Sequence, residues 1–279
     1  MSTSMLWTDG RLLPDDALRV SVRDRTFEHG LGLFETLRTW GGHATLLGRH
    51  LDRLRNSAEA LGLPLAGVAL PGPADVAALL RVDGRPGDAA LRITLSGGLH
   101  AQGGAALWMR ARDLTAGPPT ATIRESLPVP ADDPLARHKT LNYWARRLAH
   151  ERALRSGADE ILLRSESPAA SHVWEGSRTN LFVVRDGILR TPPLDGPVLP
   201  GVMRAVVIEW AGRLDIPAYE DAITPTDLAL ASEAFLTNSG RGIWPVSHLL
   251  GRDLPAPGPL TTALWGAILP WLEAGGDGP

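Results

Sequence analysis

Apolar and polar positions alternate from the start of the chain. MLWTDGRLL sets strand-forming residues on both sides of an Asp-Gly pair and predicts a β-hairpin. LFETLRTW at 33–40, the pair Gly41-Gly42 and then HATLL predict a second strand pair, entered through the glycine-bearing loop FEHGLG. The period then changes. Leu47, Leu51, Leu54, Ala58 and Leu61 recur at spacings of three and four, which puts them on one buried stripe of a helix that ends near Gly62-Leu63-Pro64. A shorter helix is predicted near 73–82, with strands near 89–96 and 104–112.

Turn formers crowd ARDLTAGPPT at 111–120. The chain is expected to divide there, into a small N-terminal α/β domain over 1–118 and a larger C-terminal domain over 119–279. The second half predicts a strand near 121–127, a helix at 141–156, strands near 159–164 and 180–185, and an Asp-Gly hairpin at VRDGIL. A helix beginning at Pro200-Gly201, a strand over EAFLT, a last helix at about 260–273 and a frayed GGDGP end follow. The fold class is therefore α/β in the broad, α+β sense, without heptads or internal repeats.

Composition narrows the chemistry. A net charge of -3 with 21% charged residues gives no basic stripe for nucleic acid. The absence of cysteine excludes disulfides, thiolate metal sites and cysteine nucleophiles together. MSTSMLWTDGRLLP lacks a basic start followed by an apolar core, and no uncharged apolar run approaches the roughly 18 residues of a membrane span. A cytoplasmic protein with a small-molecule ligand is expected. Of the 28 basic residues, Lys139 is the only lysine. Arginine serves wherever charge alone is needed, but it cannot become a nucleophilic amine, whereas a desolvated lysine can lose its proton and form an imine. Lys139 is thus a candidate Schiff-base residue or, on composition alone, a surface lysine that drift has left.

Its surroundings favour chemistry. RHKTLNYWARRLAHERAL places Lys139 just ahead of a helix, an element end from which a side chain can project into a cleft. In WEGSRTNLFVV, Glu175 precedes Gly176 and Ser177 before an apolar strand; it could face a ring nitrogen or belong to an ordinary turn. LPGVMRAVVIEWAGRL puts Pro200 and Gly201 at a helix start, where free N–H groups and the dipole favour a phosphate, though a plain Pro-initiated helix reads the same way. TNSGRG at 237–242 offers a second anion cradle or a simple turn. Arg53, beside the helical stripe, could reach an anion or pair with an acid. Arg92, inside LRITL, wants a carboxylate or an open edge and could clamp a substrate carboxylate. Metal spacings, a Gly-X-Ser-X-Gly elbow and a His-Glu-X-X-His helix are all lacking.

Taken together, RTFEHGLGLFETLRTWGG, RHLDRL, HKTLNY, GADEILL, EGSRTNLF, TPPLDGPVLPGVMR and EAFLTNSGRGIWPV resemble, in order and spacing, the class IV aminotransferase family of fold type IV, enzymes dependent on pyridoxal 5'-phosphate. The resemblance implies that Lys139 holds the cofactor's aldehyde, that Glu175 meets its pyridine nitrogen and that Arg53 binds its phosphate. It adds the backbone of Val202 and Met203 and the Asn238–Ser239 turn to the phosphate cup, and Tyr143 near the phenolic oxygen. Phe34, Arg92 and Arg241 are the implied substrate contacts. A cofactor cleft between two α/β domains, an amino acid substrate and a homodimer are implied as well.

Departures within the family suggest a branch. LRITLSGGLHAQGG lacks the arginine and histidine trap of D-amino acid transaminases, and TNSGRG differs from the Gly-Thr-Ala turn of branched-chain enzymes. HKTLNY, TNS and Arg92 are more similar to 4-amino-4-deoxychorismate lyases. The first expectation is that lyase, yielding p-aminobenzoate and pyruvate. The second is a branched-chain transaminase using 2-oxoglutarate, followed by a D-amino acid transaminase or a non-catalytic cofactor binder. The loop RSESPAASHVW is long and lacks the family's glycine, so an altered hairpin before Glu175 is expected.

Overall fold

The computed structural model describes residues 4–85, 87–101, 103–166 and 172–276. They form two compact units. One comprises Met1–Thr115, His138–Asn142 and Pro270–Pro279; the other comprises Ala116–Arg137 and Tyr143–Leu269.

In the first unit, β1 (Met5–Thr8) and β2 (Arg11–Pro14) make the predicted hairpin, with Asp9 and Gly10 both at positive φ as a tight two-residue turn requires. A short helix α1 (Arg25–His29) leads to β3 (Gly32–Arg38), followed by α2 (Leu47–Ala60), α3 (Pro73–Val82), β4 (Ala89–Ser96) and β5 (Leu107–Asp113). The sheet order is β2-β1-β5-β4-β3. The second predicted strand pair does not form. β3 pairs along its whole length with β4, and Trp40 and His43 make only an isolated bridge. Leu46 turns at φ 63°, and Leu47 starts the stripe of α2, so helix packing claims the leucines of HATLL. Part of the expected loop FEHGLG is helical too, because the Asp24 side chain accepts from Thr26 N and caps α1. Leu33 and Leu37 pack with Leu47, Leu51, Leu54, Val76, Leu79, Leu91 and Ile93 in one core. Each such side chain, fully buried, contributes about 1.5–3 kcal/mol.

The second unit runs β6 (Ala121–Val129), α4 (Trp144–Arg155), β7 (Glu160–Ser165), β8 (Val173–Gly176), β9 (Asn180–Arg185), β10 (Ile188–Thr191), α5 (Val202–Arg213), β11 (Ala218–Glu220), α6 (Pro225–Leu230), β12 (Glu233–Asn238), β13 (Gly242–Leu249), β14 (Arg252–Asp253) and α7 (Pro259–Glu273). The last turn of α7 belongs to the first unit. The sheet order is β11-β10-β9-β12-β13-β6-β7-β8, and a further β8–β9 pairing closes six of the strands into a ring. Leu162, Leu181, Val183, Leu236 and Val246 belong to the core of this unit. On another face Phe182 stacks on its register partner Phe235 with centroids 4.9 Å apart.

Two expectations need adjustment here. The helix predicted from 141 begins at Trp144, because His138–Asn142 runs extended in the first unit. The strand β13 was hidden in the sequence by Pro245, which the structure accommodates opposite Phe235. Residues 167–171 of the long loop before Glu175 and residues 277–279 of the expected frayed end lie outside the described residues. Among those described, no helix is long and apolar enough to cross a membrane.

Candidate active site

Lys139 lies on the edge of β3. Phe34 N donates to Lys139 O at 2.9 Å, Leu141 N donates to Gly32 O at 3.0 Å, and Leu33 and Thr140 form an antiparallel bridge. Gly32, at φ +140°, makes this approach feasible: a Cβ there would stand 2.6 Å from Leu141 Cδ1. The lysine is half-buried, its Nζ 4.6 Å from the centre of the Phe34 ring. Arg92 stacks on the same ring at 3.9 Å. The structure thus brings Lys139, Phe34 and Arg92 together. Arg92 is exposed on a strand inside the sheet, at neither of the places its type suggested, and the aromatic ring supports its guanidinium.

Alternation along β3 turns Glu35 to the opposite side, in line with Leu33 and Leu37. There it meets α2: Arg53 Nε donates to Oε1 at 2.9 Å and Nη2 to Oε2 at 2.5 Å, while His50 Nδ1 lies 2.7 Å from Oε2. Burial alone pushes the Glu35 carboxyl up, but the Arg53 charge and the His50 imidazole hold it down to about 2. His50, fully buried, is pushed below its ordinary value by desolvation, against the pull of Glu35. The acid partner for Arg53 is therefore present, and it fixes the guanidinium on the helix. Sequence reasoning missed Glu35 and His50, although a carboxylate in register with two core leucines, and a histidine three residues after Leu47 on the helical stripe, were visible signals.

In the second unit Glu175 is buried and fully engaged. Oε1 accepts from Arg146 Nη2 at 2.5 Å; Oε2 accepts from Asn180 Nδ2 at 3.0 Å and from Leu199 N at 3.1 Å. Glu175 and Asn180 are also the backbone pair that closes the ring of strands. Asn180 Nδ2 donates in addition to Leu199 O, just ahead of the α5 start. Gly201 is required there, because a Cβ would collide with Asn180 Oδ1. The turn after Glu175 is shaped by a second buried carboxylate. Glu160 accepts from Ser177 N at 3.0 Å, Arg178 N at 3.1 Å and Thr179 Oγ1 at 3.1 Å, and also from Ser177 Oγ.

Val202 and Met203 open α5, so their N–H groups have no acceptor inside the helix. Thr237, opposite Asn180 in register, has a buried Oγ1 without a partner among the described residues. Asn238 Oδ1 accepts from Gly240 N at 3.0 Å and Arg241 N at 2.9 Å, which fixes the turn carrying Ser239. Arg241 lies 4.0 Å over Trp244 and donates to Pro118 O. Tyr143 is the N-cap of α4, and burial pushes its phenol up while Arg146 opposes that. Asn180, Thr237, Arg146 and Glu160 were not foreseen as site residues; they are polar residues within otherwise regular elements, and only tertiary pairing reveals their use.

Comparison with known proteins agrees with this arrangement. A Methanocaldococcus jannaschii protein with a provisional designation as a branched-chain-amino-acid aminotransferase is 30% identical over 264 residues, 88% of each chain. Among solved structures, the branched-chain aminotransferase of the archaeon Thermoproteus uzoniensis, with norvaline, superposes with a TM-score of 0.83 at 27% identity, covering 98% of this chain and 96% of that one. A Legionella pneumophila protein with a provisional 4-amino-4-deoxychorismate lyase designation gives 0.80 at 26% identity, covering 91% and 95%. Other branched-chain enzymes of this fold have been crystallised with pyridoxamine 5'-phosphate or N-(5'-phosphopyridoxyl)-L-glutamate. Residues 32–249 match the family described as Amino-transferase class IV, and with most of the chain inside that match the protein belongs to the class IV aminotransferase family.

Proposed function

We propose that the protein binds pyridoxal 5'-phosphate through Lys139 and works at the α-carbon of an amino acid in the cytoplasm, as a 4-amino-4-deoxychorismate lyase. The observation that carries the cofactor reading is the sole lysine of the chain, seated by three backbone contacts on β3 beside an aromatic ring. The donor set fits the group. The open N–H groups of Val202 and Met203 and the orphaned Thr237 Oγ1 suit a phosphate, and Glu175 is an anion ready for a ring nitrogen. Arg53 and the Asn238–Ser239 turn complete the proposed phosphate contacts.

When bound, the cofactor's ring withdraws electrons from the substrate's α-carbon. Lys139 supplies the amine that holds the aldehyde and, once the substrate's amine has taken its place, accepts the Cα proton at Nζ. Glu175 holds the proton on the ring nitrogen, and Tyr143 lies toward the phenolic oxygen. Arg92, braced on Phe34, takes the substrate's carboxylate, with Arg241 as a further contact. The lyase reading rests on the Thr237–Asn238–Ser239 turn and on Arg92. Branched-chain transamination is the second reading, supported by the designation of the M. jannaschii relative. Exposed Val22, Phe27 and Leu99 support a homodimer.

One experiment separates these. Borohydride reduction with the cofactor present should fix it on the single peptide containing Lys139, and Lys139→Ala should lose both label and turnover. Aminodeoxychorismate should give p-aminobenzoate and pyruvate in equal amounts. Oxo-acid formation from L-leucine or L-valine with 2-oxoglutarate, without p-aminobenzoate, would reverse the order; an unlabelled Lys139 would end the cofactor reading.

A further inference from the structure

Glu175 shares its charge with a permanent cation. Arg146 sits in the first turn of α4 and directs Nη2 to Glu175 Oε1 at 2.5 Å, while Nη1 donates to Ser177 O at 3.3 Å and Nη2 also reaches Ala136 O at 3.4 Å. Its side chain is only 20% exposed, and that of Glu175 is 2% exposed. Guanidinium stays protonated at every accessible pH. A carboxylate has about four lone-pair sites. Asn180 and Leu199 N draw on one oxygen of Glu175, and Arg146 draws on the other.

We propose that Arg146 is a positioning residue for Glu175 that also tunes the ring-nitrogen site: by sharing the carboxylate, it lowers the proton affinity of the nitrogen that Glu175 faces. This rests on the reading that Glu175 meets the pyridine nitrogen of bound pyridoxal 5'-phosphate. A lone buried carboxylate would hold a pyridinium strongly. With a guanidinium on the same carboxylate, the second cation meets a half-compensated anion and a like charge beyond it, so the ring is a weaker electron sink. The other charged or titratable groups around the pair do not cancel this. Glu160 on β7 is committed to the Ser177–Thr179 turn, Tyr143 is held neutral by burial, and Arg178 adds positive charge. Burial pushes the Arg146 guanidinium down, but Glu175 outweighs it and keeps the cation firmly charged.

The test uses full-length protein loaded with pyridoxal 5'-phosphate labelled with 15N in the ring, whose resonance reports the nitrogen's protonation as pH is varied. Wild type, Arg146→Gln and Arg146→Lys are compared, with the cofactor's dissociation constant measured in each. Arg146→Gln should raise the nitrogen's apparent pKa by about one pH unit, and Arg146→Lys, which keeps the charge, should stay near wild type. Identical titrations in all three, with both variants losing cofactor affinity equally, would make Arg146 a brace and overturn the proposal. If the glutamine variant does not fold, wild type alone decides: its nitrogen should lose its proton below about pH 8, and one that stays protonated beyond that overturns the idea. Wild type that fixes no cofactor on Lys139 under borohydride overturns the parent reading as well, a failure distinct from an unshifted titration.

Discussion

At the scale of single residues, the buried trio of Glu35, His50 and Arg53 makes the sharpest claim. Replacing Glu35 with Gln takes the Glu35 charge away from Arg53 on a face where the arginine side chain is only 10% exposed. Breaking a buried pair in this way costs about 3–5 kcal/mol. The pH dependence has a definite sign. The folded carboxyl lies at about 2, below its ordinary 4.5, so its stabilisation is complete above 4.5 and drains away as pH falls through about 2. Urea unfolding at a series of pH values should show wild type well above Glu35→Gln near neutrality, with the gap closing between those limits. A gap that is constant with pH would mean that the pair contributes through shape alone. Residue type made Lys139, Glu175 and Arg53 legible in the sequence, because few side chains can do their proposed chemistry. Glu35 and Arg146 were not, since what distinguishes them is the partner that tertiary packing supplies.

At the scale of elements, α7 depends on a residue that is distant in sequence. Its first N–H groups are met by the Glu233 carboxylate of β12: Leu260 N and Thr261 N each donate at 2.9 Å, and Thr261 Oγ1 donates at 2.8 Å. Gly258 allows this close approach, as a Cβ there would collide with the Glu233 carboxylate carbon. Glu233→Ala leaves buried donors at a helix start without acceptors, and we expect a loss of about 2–3 kcal/mol in the urea midpoint analysis, with Glu233→Gln falling between. An alanine variant as stable as wild type would show that water replaces the carboxylate without penalty. The sequence placed this helix within a residue or so of its start, yet gave no sign of its cap. Local signals succeed when the partner is near, as at the Asp9-Gly10 and Asp186-Gly187 hairpins, where both residues take positive φ. They failed at HATLL, where the partner of β3 is β4.

At the scale of the molecule, chain order and compact units diverge. Residues 138–142 and 270–279 join a unit otherwise built from the first 115 residues, an association that periodicity along the chain does not carry. The C-terminal segment has a definite share in that unit. Leu272 is wholly buried, Thr45 Oγ1 donates to Leu272 O at 2.9 Å, and a Cβ on Gly41 would come within 2.8 Å of Glu273 O. Ending the chain after Leu269 removes one fully buried leucine, worth about 1.5–3 kcal/mol, and strands the Thr45 hydroxyl, at about 1 kcal/mol more. The loss should fall on the sequence-distant end. Hydrogen exchange of the truncated protein should therefore quicken in α2 and β3, tens of residues before Thr115, while the strands β9 and β12 of the other unit keep their protection. Thr45→Val, which retains the leucine but removes the hydroxyl, should reproduce only a small part of the change. Uniform quickening across both units would instead mean that the C-terminal turn stabilises the protein as a single cooperative body, and unchanged exchange in α2 would mean that the first unit holds its core without it.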